Sequence, residues 1–201
     1  MRLFVAVHLS QEIRERLALV QDRLRRAQAD VSWVKPANLH ITLKFLGETE
    51  PKRLERLGPV LAEAARSAAP FSLAVAGVGT FGGRILRVVW VGVREGAAPL
   101  EALAGAVENG LARLGFPKEK RGFTPHFTLG RVRSPRNAES LLAAIRDEPT
   151  ELFGTVLVER FVLMQSELDP SGSIYTALER FPLEQPEGEG RRKEPQCESA
   201  S

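Results

Sequence analysis

Apolar positions along this chain of 201 residues recur in two rhythms, one of three to four residues and one of two. After Ser10 they fall at Ile13, Leu17, Val20 and Leu24, the spacing of one buried stripe on a helix reaching residue 29 or so. Ser10 suits the N-cap of that helix, because a hydroxyl there accepts a bond from an otherwise unpaired amide of the first turn. Pro51 suits the first turn of a second helix, where a missing N–H costs little, and Leu54, Leu57 and Leu61 follow it. Leu100, Leu103, Val107, Leu111 and Leu114 make a third stripe after Pro99, and a fourth, shorter helix starts near Pro135.

Between the helices, strand-like stretches cover 3–7, 31–34, 39–46, 71–78, 85–93, 126–132, 155–164 and 174–181. Several follow one another through short connections such as Gly82-Gly83 and Asp169-Pro170-Ser171-Gly172. That favours antiparallel pairing and an α+β class over a doubly wound parallel sheet. From Glu184 to Ser201 the pattern lapses into Pro186, Gly188, Gly190, Pro195 and mixed charges. A disordered tail is expected there, behind one domain over residues 1–183.

Composition narrows the class. Apolar residues at 43% and charged residues at 26% describe a globular protein rather than a fibrous or disordered one, and the length allows one domain or two small lobes sharing an interface. The apolar runs fall far short of the roughly 18 residues a membrane span needs, and the start, Met1 to Val7, reads as a first strand rather than a signal because charge resumes at Glu12. Cys197 is the only cysteine, which leaves no internal disulfide framework or thiolate metal site. A cytoplasmic monomer is expected. The net charge is +3, and with the five acidic and three basic residues of the tail set aside it becomes +5, a mild pointer to anionic ligands.

One repeat carries chemistry. Leu39-His40-Ile41-Thr42-Leu43-Lys44-Phe45 is echoed 86 residues on by Pro125-His126-Phe127-Thr128-Leu129-Gly130-Arg131. Both contain His-x-Thr-Leu, although the chain has only three histidines and eight threonines. Side chains of a strand alternate faces. His40 and Thr42 therefore share one face while Ile41, Leu43 and Phe45 take the other, and His126 and Thr128 share a face opposite Phe127 and Leu129. A strand histidine with a threonine kept for its β propensity explains either motif alone; two copies in separate halves point to one shared site.

Two imidazoles facing across a cleft suit phosphodiester chemistry without a metal. One neutral ring takes a proton from water while a protonated one gives a proton to the leaving oxygen, since an ordinary pKa near 6.5 permits either state. Thr42 and Thr128 are placed to bond the non-bridging phosphate oxygens, and a cation offsets the growing charge. Arg131 is the candidate cation: alternation puts it with Phe127 and Leu129, but at a strand end a long side chain can turn to the cleft. Lys44 follows His40 and Thr42 in parity and is a candidate phosphate contact. A solvated surface residue is the competing reading for both. His8 has no threonine partner and takes a structural or surface role. With no His-Glu-x-x-His spacing and no other histidine, neither metal nor cofactor is expected.

At these residues the chain resembles the two-histidine phosphoesterases, and within them the RNA 2',3'-cyclic phosphodiesterases, also called 2'-5' RNA ligases. The likeness includes Arg2-Leu3-Phe4-Val5-Ala6, the stretch from Trp33 to Glu48, and Phe123-Thr124-Pro125-His126 with Gly130-Arg131. It is weaker at Phe81 with Arg87-Val88-Val89-Trp90 and at Ser166-Glu167-Leu168 with Gly172 and Tyr175. The resemblance implies a bilobal α+β fold with two antiparallel sheets facing a central cleft and helices outside. It also implies His40 as proton donor, His126 as proton acceptor, hydrolysis of a terminal 2',3'-cyclic phosphate to a 2'-phosphomonoester, and RNA as partner, with 2'-5' joining as a second reaction. A phosphodiesterase for a small cyclic nucleotide or ADP-ribose derivative, and a non-catalytic RNA-binding module, are the rival readings.

Overall fold

The computed structural model describes residues 1–83, 85–149, 152–170 and 172–184. All but the first residue of the expected disordered tail lies outside them. Nine strands form two antiparallel sheets among the described residues, giving the expected α+β class. The first sheet runs β3 (His40–Glu48), β1 (Arg2–His8), β8 (Arg160–Asp169), β9 (Gly172–Pro182). The second runs β2 (Val31–Trp33), β6 (His126–Val132), β5 (Val88–Glu95), β4 (Phe71–Phe81), β7 (Leu152–Val158). The two motif strands thus lie one in each sheet, β3 beside β1 and β6 between β2 and β5.

The helices are exchanged between the halves. Helix α1 (Gln11–Arg25) follows a strand of the first sheet but packs against β7 of the second and against α4 (Ala138–Asp147). Its Arg16 donates to the Phe153 carbonyl at 2.8 Å, and its Arg23 pairs with Glu148 at 2.7 Å. Helix α3 (Ala97–Arg113) follows β5 of the second sheet but packs, with α2 (Leu54–Arg66), on β3 and β9 of the first. The predicted stripes Ile13, Leu17, Val20, Leu24 and Leu100, Leu103, Val107, Leu111 are all buried against one continuous core. Ser10 caps α1 by accepting from the Ile13 amide at 3.4 Å.

Three boundaries differ from the periodicity. The stretch 155–164 is two strands that part at Glu159, β7 ending in one sheet and β8 starting in the other; apolar alternation continues across the crossing because both strands face the same core. Ile85, Leu86 and Arg87 precede β5 rather than opening it. Pro51 lies in a short 3-10 turn, Pro51–Arg53, with α2 starting at Leu54.

Candidate active site

Both motif strands carry a β-bulge, and at the same residue of the repeat. In β3, Ala6 lies opposite Thr42 and Val5 opposite Lys44, so Leu43 has no partner on β1. In β6, Trp90 lies opposite Thr128 and Val89 opposite Gly130, so Leu129 has no partner on β5. An extra residue in one strand reverses the facing of everything after it. His40 and Thr42 therefore share their face with Phe45, not Lys44, and His126 and Thr128 share theirs with Arg131. Burial follows: Leu43 and Lys44 are buried with Phe45 exposed, and Leu129 and Gly130 are buried with Arg131 exposed.

Two expectations are corrected by that reversal. Lys44, read from alternation as a phosphate contact, lies behind the sheet with 3% of its side chain exposed. Its Nζ donates to Glu108 Oε1 of α3 at 2.9 Å and to the Pro117 carbonyl at 2.7 Å. A lysine so enclosed is held by its partners, and the Glu119 amide with the Lys44 ammonium keeps the Glu108 carboxyl below the usual range. Phe45, placed by alternation on the face opposite His40, is 57% exposed and faces Phe4 with ring centres 6.1 Å apart. Arg131 reaches the cleft face by the bulge and not by bending at a strand end.

The two imidazoles are prepared alike. His40 Nδ1 lies 2.7 Å from the carbonyl of Asn38, and His126 Nδ1 lies 2.7 Å from that of Thr124, in each case two residues upstream. A carbonyl only accepts, so both Nδ1 atoms carry the hydrogen, and each Nε2 is left to take up or give up the reactive proton. His40 Nε2 accepts from the Thr42 hydroxyl at 3.1 Å. Packing fixes the rings. Phe4 and Tyr175 flank His40 at 4.9 and 5.4 Å, and Phe81 meets His126 edge-on at 4.9 Å.

Burial pushes the His40 imidazole down to about 4, and the charges of His8, His126 and Arg131 push the same way against the Asn38 bond. Burial, then Arg131, also lowers His126. Strands β3 and β6 lie against one another, and the charge of Arg131 acts on both imidazoles. A cavity of about 70 Å³ opens beside His40, lined by Phe4, His8, Ala37, Asn38, Met164 and Tyr175. A larger groove of about 410 Å³ between α2 and α3 holds the Glu63–Arg113 ion pair but no histidine. Among the described residues no three His, Cys, Asp or Glu side chains come together as metal ligands, and no helix is long and apolar enough to cross a membrane.

Alternation did not find what supports the motifs. His8 is the last residue of β1 and stands directly opposite His40; Phe4, Ala6 and His8 alternate onto the cleft face, a signal the sequence did carry. Gln21 is fully buried on α1 and donates from Nε2 to the carbonyls of Leu129 and Val34, both at 2.8 Å. Gln21 falls on the buried stripe four residues after Leu17, and Glu108 four after the buried Ala104, but a search for apolar positions passes over both.

Two bulged His-x-Thr strands from two exchanged halves define a two-histidine phosphoesterase fold, and the chain belongs to the 2'-5' RNA ligase superfamily, whose family model matches residues 9–170. It is 38% identical over 183 residues to the RNA 2',3'-cyclic phosphodiesterase of Methanothermobacter thermautotrophicus, covering 90% of this chain and 98% of that one. It is 40% identical over 182 residues to the protein of that name from Archaeoglobus fulgidus, covering 90% and 99%. The structure of E. coli LigT complexed with 3'-AMP superposes with a TM-score of 0.76 at 31% identity, covering 92% of this chain and 98% of that one.

Proposed function

We propose that this protein hydrolyses 2',3'-cyclic phosphate ends of RNA to 2'-phosphomonoesters, with His126 as base and His40 as acid. The observation that carries the reading is the matched tethering of both rings through Nδ1, which leaves two Nε2 atoms for one phosphate. His126 Nε2 accepts the proton of the attacking water, the new P–O bond forms in line, and the bond from phosphorus to the ribose 3' oxygen breaks. His40 Nε2–H supplies the proton to that oxygen, and exchange with solvent resets both rings. Thr42, Thr128 and Arg131 hold the equatorial oxygens as charge grows on them.

A lowered His40 fits the acid role only with substrate bound. The incoming phosphate carries the negative charge that favours an imidazolium beside it, while the Asn38 carbonyl already accepts from the far nitrogen. Lys44 takes no part in contact with substrate. Names of the relatives favour RNA over a free small cyclic phosphate, and 2'-5' joining is the same displacement with the 5' hydroxyl of a second strand in place of water. The test is turnover of an oligonucleotide ending in a 2',3'-cyclic phosphate, with phosphorus NMR of the product. A 2'-phosphate formed in the presence of EDTA supports the reading; a 3'-phosphate, or dependence on a divalent ion, overturns it.

A further inference from the structure

The wall of the cleft beyond His40 holds cations that the hydrolytic step does not use. His8 stands opposite His40 on the neighbouring strand and lines the same cavity. Ala6, two residues before it, lies opposite Val162, which lies opposite Arg180. Cross-strand neighbours share a face, so Arg180 stands on the cleft side with Phe4, Ala6, Val162 and Met164. Arg14 is fixed beside His8 from the other direction, its Nε and Nη2 donating to the Leu9 carbonyl at 3.2 and 2.9 Å. Burial first, and then both guanidinium groups, lower the His8 imidazole from its ordinary value.

Among the described residues none of the three forms an ion pair with a carboxylate. The nearest acid in sequence, Glu179, faces the other way, toward Gly58 of α2. Two guanidinium groups converging on an imidazole without a counter-charge are costly unless an anion joins them, and an anion that does so also favours a proton on His8. The cavity that His8 and His40 line is floored by Phe4 and Tyr175, apolar and aromatic surface of the kind a nucleoside covers.

We infer that His8, Arg14 and Arg180 form a second phosphate subsite, which takes the internucleotide phosphodiester immediately 5' to the terminal cyclic phosphate. This rests on the proposed hydrolysis, in which the ribose 3' oxygen faces His40 and the rest of the strand leaves on that side. The terminal nucleoside lies over the mouth of the cavity, its scissile phosphate between His40 and His126 and its 5' phosphate on the two guanidinium groups and the His8 imidazole. The subsite makes the enzyme a reader of strand ends rather than of mononucleotides, since only a nucleotide with something on its 5' oxygen fills both.

Calorimetry separates this from the catalytic reading. Adenosine 2'-phosphate carries one phosphate, adenosine 2',5'-bisphosphate adds a 5' monoester, and the dinucleotide ApA with a 2'-phosphate end adds the diester. Both larger ligands should bind at least tenfold more tightly than adenosine 2'-phosphate. Arg180→Ala and His8→Ala, each at an exposed position, should cut that ratio to less than threefold, and rising salt should erode it. Equal affinities for all three ligands, or variants that weaken all three alike, would overturn the subsite. Tightening by the bisphosphate alone would overturn its assignment to a strand. Absent turnover of the cyclic oligonucleotide sinks the functional reading, whereas the affinity ratios still decide the subsite.

Discussion

The two motif strands bring the same four-residue pattern and the same bulge to the cleft, yet each meets different surroundings there. On β3 the position five after the histidine is Phe45, and on β6 it is Arg131. Behind the sheet the contrast reverses. Lys44 on β3 reaches Glu108 of α3, whereas its counterpart Gly130 on β6 has no room for a side chain, because a Cβ there would lie 2.5 Å from Val31 and 3.0 Å from Trp33. The second bulge is held instead through its carbonyl, by Gln21 of α1. A shared pattern fixes the position of imidazole and hydroxyl, and the neighbours differ: the first half surrounds its imidazole with the aromatic rings of Phe4 and Tyr175, and the second sets Arg131 on the face of its own.

The largest effect should come from breaking the symmetric part. His40→Ala and His126→Ala should each cost between about 10² and 10⁴ in kcat, the contribution of one positioned acid or base, with unchanged circular dichroism. Near-normal turnover in either, on a folded variant, would end the acid–base assignment.

Next is the asymmetric cation. Arg131→Ala should lower kcat/KM by about 10²-fold, as for the loss of one preorganised donor to developing charge, whereas Phe45→Ala should not. The pH profile sharpens this. Both histidines are lowered from 6.5 in the free protein, and kcat/KM reports free-enzyme groups, so its optimum should lie below pH 6.5. Arg131 lowers both rings; removing its positive charge raises them, and Arg131→Ala should move the optimum to higher pH. An unmoved optimum would place Arg131 outside the site.

Smaller effects should separate the two anchors behind the bulges. Lys44→Met takes the donor of the Pro117 carbonyl and leaves Glu108 with the Glu119 amide alone, and Gln21→Leu takes the donor of the Val34 carbonyl and leaves Leu129 with the Val34 amide alone. Each should cost about 2 kcal/mol of stability in a denaturant titration, the scale of a buried group left unpaired, and a value under 0.5 kcal/mol would show that the bulge holds itself.

The last is a pH effect on stability. The folded chain keeps His40 neutral down to about 4, while the unfolded chain takes up a proton near 6.5, so unfolding binds a proton between those values. Stability from this burial is whole above 6.5 and is lost as pH falls from 6.5 toward 4. His40→Phe should flatten the fall in Tm over that window; an unchanged slope would mean His40 is solvated.

Local pattern alone reached much of this. The stripes on α1 and α3 need only the helical period, Ser10 only its hydroxyl before an apolar run, and the paired His-x-Thr-Leu only alternation up to Thr42 and Thr128. Alternation failed at the next residue in both strands, because a bulge is set by how two strands register and not by either one. That failure buried Lys44, exposed Phe45 and delivered Arg131 to the face of the histidines. The break at Glu159 was hidden for a related reason: a chain that leaves one sheet for another keeps its period while the core stays on the same side. Only the exchange of helices between the halves gave Gln21 and Glu108 their partners more than sixty residues away, and only the pairing of β1 with β3 set His8 against His40. Short-range order follows from backbone geometry, which the sequence carries residue by residue. The surroundings of each histidine come from contacts distant in the chain, and those exist only once the two sheets have closed on one another.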